Sequence, residues 1–287
     1  LGSFTPFYRV NAVRRATSQH FVLYADAASS VLVSSNISRT GTLTAGSTTV
    51  AGLSTTADLS VNMRVTGGGL PCTTHISSIV DANTVVITNA APANATPTLT
   101  FARGPSAILD TLECAYPNLL NTYGAGEHPY ANNNARIVIL AYDILDDFDT
   151  TNNYVGGFFA PRDLYSNQFT TSLFTNPVAI QRYPNLIGQL GGYSNEMSIV
   201  YYDLNPGYTT APNQVNGIVI HELSHLFTYN YRVVKQRLNN PDLWIAEGIA
   251  ENAPHQTNGA TELEALRLVQ TGSPGMFSNY QKAPQLT

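Results

Sequence analysis

The stretch Gln214-Val-Asn-Gly-Ile-Val-Ile-His221-Glu222-Leu223-Ser224-His225-Leu-Phe-Thr-Tyr229 decides the reading of this chain. From 214 to 238 the pattern is that of one long helix, apolar at Ile218, Val219, Ile220, Leu223, Leu226 and Phe227. On a helix, positions i and i+4 lie about 40° apart around the axis and one turn apart in height. His221 and His225 therefore reach a single metal ion. Glu222 is offset from them and can hold a water bound to that ion. Zinc lowers the pKa of such a water to about 7, and a neighbouring carboxylate takes its proton. The bland alternative is a surface helix that happens to carry two histidines. The apolar surroundings argue against it, because a glutamate without a purpose is costly to bury there.

Two histidines leave a catalytic zinc one protein ligand short. A third histidine at the metzincin spacing would fall on Tyr231, and that family's glycine on Thr228, so the metzincin pattern fails. The next segment, Asn240-Pro241-Asp-Leu-Trp244-Ile-Ala-Glu247-Gly-Ile-Ala-Glu251, reads as a second helix capped by Asn240 and ended by Pro254. A turn between the helices lets Glu247 come back onto the metal. Glu251, one turn further on the same face, is the competing ligand or an acceptor that steadies a ligand histidine. Trp244, the only tryptophan, is expected to pack in the core. A third helix is expected from Thr261-Glu-Leu-Glu264, a capping-box pattern, to about Gly272.

HELSH followed by DLWIAEGIAE resembles the gluzincin metallopeptidases, in which a second helix supplies a glutamate as third zinc ligand. Within that clan the wording is most similar to the hyicolysin family of bacterial secreted peptidases. The segments ARIVILAYDILDD, YVGGFFAPRDLY and SNEMSIVYYDLNP carry the same likeness, over about residues 104–260 with weaker support from 7–26. The resemblance implies a zincin-like α+β fold and one zinc ion on His221, His225 and Glu247. It implies Glu222 as general base and a peptide or protein substrate. It also makes the short glycine-bearing strand over 154–160 the antiparallel edge above the cleft, with Gly156, Gly157 and Phe158 as substrate-edge candidates. Aminopeptidases of the clan place a carboxylate in that strand to anchor the substrate's amine. Here Gly156-Gly157-Phe158-Phe159 has none, which points to internal cleavage, with Glu196 as a loose competitor. A Tyr or His that stabilises the oxyanion is still required. Tyr280 qualifies by position only, and the chain reads as a fragment cut short of that group.

Upstream, Phe7 to Asp26 reads as a strand hairpin, and Pro105 opens a helix that Pro117 interrupts and Gly124 ends. Ala135–Tyr142 and Ser198–Asp203 read as buried strands. Between Tyr24 and Phe101 there is no Phe, Tyr or Trp, and between Val31 and Thr100 only Arg39, Asp58, Arg64 and Asp81 are charged. Short β-branched runs there alternate with glycines, Gly67-Gly68-Gly69 among them, the pattern of a small all-β module. Its wording resembles β-rich modules of bacterial surface and phage structural proteins. The expected organisation is a zincin-like domain, 1–36 plus 104–287, interrupted by an all-β module over 37–103. That module raises a rival function: surface attachment or adhesion, with the zinc site structural or vestigial.

Charged residues are 11% of the chain and the net charge is −5, against about 25% charged in ordinary soluble proteins. Lysine occurs only at Lys235 and Lys282. No basic run supports nucleic-acid binding, and no apolar run suits a membrane span. The composition and the start at Leu1 suggest an exported chain whose leader has been removed. Cys72 and Cys114 either pair in an oxidising compartment or stay free. His20, His75, His128 and His255 have no motif around them and read as structural or surface residues.

Overall fold

The computed structural model describes residues 9–30, 32, 35–124, 136–144, 155–182, 193–208 and 215–258. The fold is α+β. A five-stranded sheet runs in the order β1-β2-β10-β12-β11. Its strands are β1 (Ala12–Thr17), β2 (Phe21–Asp26), β10 (Ile137–Tyr142), β12 (Ile199–Asp203) and β11 (Gly157–Phe158). β2, β10 and β12 are mutually parallel, with Ile137 opposite Phe21 and Val138 opposite Ile199. β1 is antiparallel to β2, as the expected hairpin requires, and β11 is antiparallel to β12 at the far edge.

Strand side chains alternate between faces, and here both faces are apolar. Phe21, Leu23, Ala25, Ile137, Ile139, Ala141, Val200 and Tyr202 pack toward the helices. Val22, Val138, Ile199 and Tyr201 form a second cluster on the opposite face with Phe158 and Met197. Burial on both sides explains why these strands read as continuous apolar runs. The helical layer consists of α1 (Pro105–Tyr123), α4 (Val215–Tyr229) and α5 (Leu243–Asn258). Between β11 and β12 come a 3₁₀ turn, Pro161–Leu164, and two short helices, α2 (Asn167–Thr175) and α3 (Pro177–Arg182).

Proline placement corrects two expectations. α1 continues through Pro117 to Tyr123, and α5 continues through Pro254. In α1 the buried Leu112, Ala115, Tyr116 and Leu119 flank the proline, so packing on both sides outweighs the lost backbone bond. The motif helix is shorter than the apolar pattern suggests. α4 ends at Tyr229, and a wider π-helical turn covers Asn230–Lys235. α5 starts at Leu243 rather than at Asn240-Pro241. Trp244 is 63% exposed, not in the core, since α5 faces the interior with the small Ala250 and Ala253. The helix expected over 261–272 lies outside the described residues, as do Tyr280 and His128.

Strands β3 (Ser35–Thr40) to β9 (Thr98–Arg103) form two further sheets, of order β3-β9-β6 and β4-β5-β8-β7. The intervening strands are β4 (Thr42–Leu43), β5 (Thr49–Ala51), β6 (Arg64–Thr66), β7 (Ile76–Asp81) and β8 (Thr84–Ile87). They enclose a core of their own, with Val50, Leu53, Met63, Val65, Val85, Leu99 and Phe101 at its centre. Positive φ angles at Gly67, Gly68 and Gly69 make the turn after β6. β3 pairs with β9 along its whole length, Ser35 opposite Arg103. Chain entry and exit are therefore side by side, and β9 runs directly into α1. A disulfide joins Cys72 of this β region to Cys114 of α1, with Cα atoms 5.7 Å apart. Buried Arg64 lies over it, its Nη2 3.3 Å from Cys114 Sγ.

Candidate active site

α4 presents its histidines where α5 crosses it. His221 Nε2 lies 3.2 Å from Glu247 Oε2 and 3.1 Å from His225 Nε2, and His225 Nε2 lies 3.5 Å from Glu247 Oε2. Three lone-pair donors thus converge on one point. A four-coordinate ion with bonds of about 2.0–2.1 Å holds its ligand atoms roughly 3.3–3.4 Å apart in a tetrahedron. The observed spacings bracket that value, so the donor set fits such an ion. Among the described residues, His221, His225 and Glu247 form the group of histidines and carboxylates suited to a metal. Glu251 Oε1 stands 3.5 Å from Nδ1 of His221, the imidazole nitrogen not turned to Glu247.

The electrostatics favour a cation at this point. Hydrogen bonds from His221 and His225 hold the Glu247 carboxyl at about 2, against the resistance of burial. For His221, burial lowers the imidazole, but Glu247, Glu222 and Glu251 outweigh it and leave the pKa raised. Three carboxylates around two imidazoles thus draw positive charge inward.

Glu222 is 7% exposed. Burial pushes its carboxyl up, and the neighbouring His221 and His225, with the Phe159 backbone N–H, pull the other way. A carboxylate of raised basicity beside a trio suited to a metal ion is placed to accept a proton. Gly157 explains the glycine pair in part. A Cβ there would lie 2.6 Å from the Tyr201 carbonyl oxygen, 3.1 Å from Ile218 Cγ2 and 3.2 Å from Glu222 Cγ. Only a glycine lets β11 sit between β12 and the motif helix. Gly156 accepts from the Asp203 N–H at 2.9 Å, and the Phe158 ring stacks on Tyr201 at 4.3 Å.

Other residues singled out from sequence lie elsewhere. Glu196 accepts the Asn167 N–H at 2.6 Å, at the start of α2, so it is engaged in ordering that helix. His20 pairs with Glu113 at 2.7 Å and stacks on Tyr116. His75 belongs to the β region, half-buried, with burial lowering its pKa.

Two buried carboxylates near the edge strand had no sequence signal. Asp203 accepts from the N–H groups of Ile144 (2.9 Å) and Gly207 (3.2 Å), tying together the segments beyond β10 and β12. Asp163 accepts from Tyr201 Oη (2.6 Å) and the Asn195 N–H (2.8 Å), fixing the loop before β12. Except for Gly207, these partners are remote in sequence, so no local motif announces them.

No protein-family model matches the chain. Over 136 residues it is 29% identical to the neutral metalloprotease ShpI of Staphylococcus hyicus, a match that takes in 45% of this chain and 26% of that protein. The chain thus spans about a quarter of the length of the curated relative it matches. That similarity supports a metalloprotease relationship for the chain.

Proposed function

We propose that this chain is a zinc-dependent endopeptidase of the gluzincin type, of the hyicolysin kind. The observation that carries the reading is the convergence of His221, His225 and Glu247 beside the buried Glu222. His221, His225 and Glu247 would hold the ion, with Glu251 steadying His221 from its other ring nitrogen. When bound, zinc supplies a Lewis acid that polarises a carbonyl and acidifies water. Glu222 receives the proton of the attacking water and delivers it to the departing amide nitrogen. A site with a purely structural ion needs ligands but no base, and Glu222 is the group such a site would not require.

β11 is the last strand of its sheet, and an extended peptide can add to it through backbone hydrogen bonds. Glu196, the one rival amine anchor read from the sequence, is occupied at α2, which favours internal cleavage over aminopeptidase action. In this reading, residues 1–36 with 104–287 form the catalytic domain and 37–103 an inserted module. The Cys72–Cys114 bond and the sparse lysine fit an oxidising, extracellular setting. No described helix is long and apolar enough to cross a membrane.

Replacing Glu222 with Gln tests the reading. The variant is expected to retain zinc at the wild-type ratio and to lose about 10²–10⁴-fold in peptide hydrolysis. Wild-type-like cleavage by Glu222→Gln contradicts the assignment.

A further inference from the structure

We propose that β11, besides lining the cleft, is the support that orients Glu222, with Gly157 and Phe159 as positioning residues. This rests on the peptidase reading for its kinetic consequences, but its structural basis is independent of it. α4 fixes only the Cα of Glu222. The carboxylate lies beyond the reach of α4's own backbone bonds, and its rotamer is set by what stands against it.

What stands against it is β11. A Cβ on Gly157 would stand 3.2 Å from Glu222 Cγ and 3.1 Å from Ile218 Cγ2, so the bare glycine backbone is what lets the strand run close against that side chain. The strand is held at that distance by its pairing with β12, Gly157 opposite Tyr202 and Phe158 opposite Tyr201. One residue further, the Phe159 backbone N–H acts on the Glu222 carboxyl and opposes the rise that burial causes. The Phe159 ring packs edge-on against Tyr229 of α4 at 5.8 Å. Tyr229 in turn meets the Tyr165 hydroxyl at 3.2 Å, oxygen to oxygen. Strand and helix are thus clipped together on both sides of the base. A side chain on Gly157 cannot be absorbed by a rotamer change, because its nearest obstacle is the Tyr201 backbone carbonyl at 2.6 Å. The strand must move, and the support for Glu222 moves with it. Misplacing a base by a fraction of an ångström lowers turnover far more than it lowers binding.

The test compares wild type with Gly157→Ala, both loaded with zinc and supplied with a peptide substrate. The expected result is zinc bound at the wild-type ratio, with kcat down at least tenfold. A kcat within twofold of wild type overturns the proposal, and a rise in KM alone then assigns β11 to substrate binding only. A second measurement needs neither activity nor metal, and it remains decisive where Gly157→Ala fails to fold. Amide exchange at Phe159 is followed by NMR in metal-free wild type and Glu222→Ala. Loss of the acceptor is expected to speed Phe159 exchange about tenfold or more, with Leu223 and Leu226 of α4 unchanged. Equal Phe159 exchange in both proteins contradicts the proposal. An inactive wild type with full zinc sinks the peptidase reading instead, and leaves the exchange result to judge the support of Glu222.

Discussion

The region from β3 to β9 and the sheet-and-helix unit around it bury different kinds of side chain. The first packs Val50, Leu53, Val65, Val85 and Leu99 around a lone aromatic, Phe101. The second buries Phe21, Tyr116, Tyr123, Tyr202, Phe227 and Tyr229. The contrast in buried charge is more informative. Among the described residues, the buried carboxylates are Asp163, Asp203 and Glu222, all outside the β region. A buried carboxylate is costly unless it is hydrogen-bonded. Asp163 accepts from the Asn195 N–H of the loop before β12 and from the Tyr201 hydroxyl of β12, and Asp203 accepts from the N–H groups of Ile144 and Gly207 beyond β10 and β12. Among the described residues, the groups acting on Glu222 are the His221 and His225 imidazoles, the Glu247 carboxylate and the Phe159 backbone N–H beside the edge strand. Among the described residues, the buried carboxylate next to the paired imidazoles occurs in the sheet-and-helix unit and not in the β region.

That contrast is broken most directly at Glu222. Glu222→Gln is expected to lose the 10²–10⁴-fold in hydrolysis stated above while its melting temperature stays near wild type. Asp203→Ala is not expected to show such a separation, because it strips the acceptor from two buried N–H groups. In the β region the opposite split is expected. Leu99→Ala empties the centre of the small core and should cost about 2–5 kcal/mol in unfolding free energy, read by denaturant titration. Its kcat per folded molecule should be unchanged. A matched fall in kcat would show that the β region takes part in catalysis.

The link between the regions gives the smaller effect. The Cys72–Cys114 bond spans 42 residues of sequence, and removing it as Cys72→Ser with Cys114→Ser should cost about 2–4 kcal/mol. Zinc content and kcat at 25 °C should stay at wild-type values. A loss of zinc in that variant would mean that α1, through its packing on α4, transmits the state of the bond to the metal ligands.

Much of the candidate site was legible because it is local. His221, Glu222 and His225 are read from helical spacing alone, and Glu247 and Glu251 from the next helix. The parallel strands showed as apolar runs, and the aromatic-free stretch marked the small β core. What escaped the sequence depends on contacts between distant segments. Pro117 and Pro254 carry helix-breaking signals that packing overrides. Trp244 reads as a core residue by type, but the core side of α5 takes alanines. Spacing says nothing of the distance between Cys72 and Cys114, because the loop between them closes through two sheets. The glycine pair was visible, but its purpose lies in the Tyr201 carbonyl and the Glu222 side chain, which only the fold brings together.

The central claim is that two helices deliver three ligands to one ion, and metal content tests it most directly. Elemental analysis of purified wild type and Glu247→Ala, side by side after zinc loading and desalting, is expected to give one zinc per wild-type chain and a clear loss in the variant. No zinc in the wild type, or equal zinc in both, would contradict the His221–His225–Glu247 site.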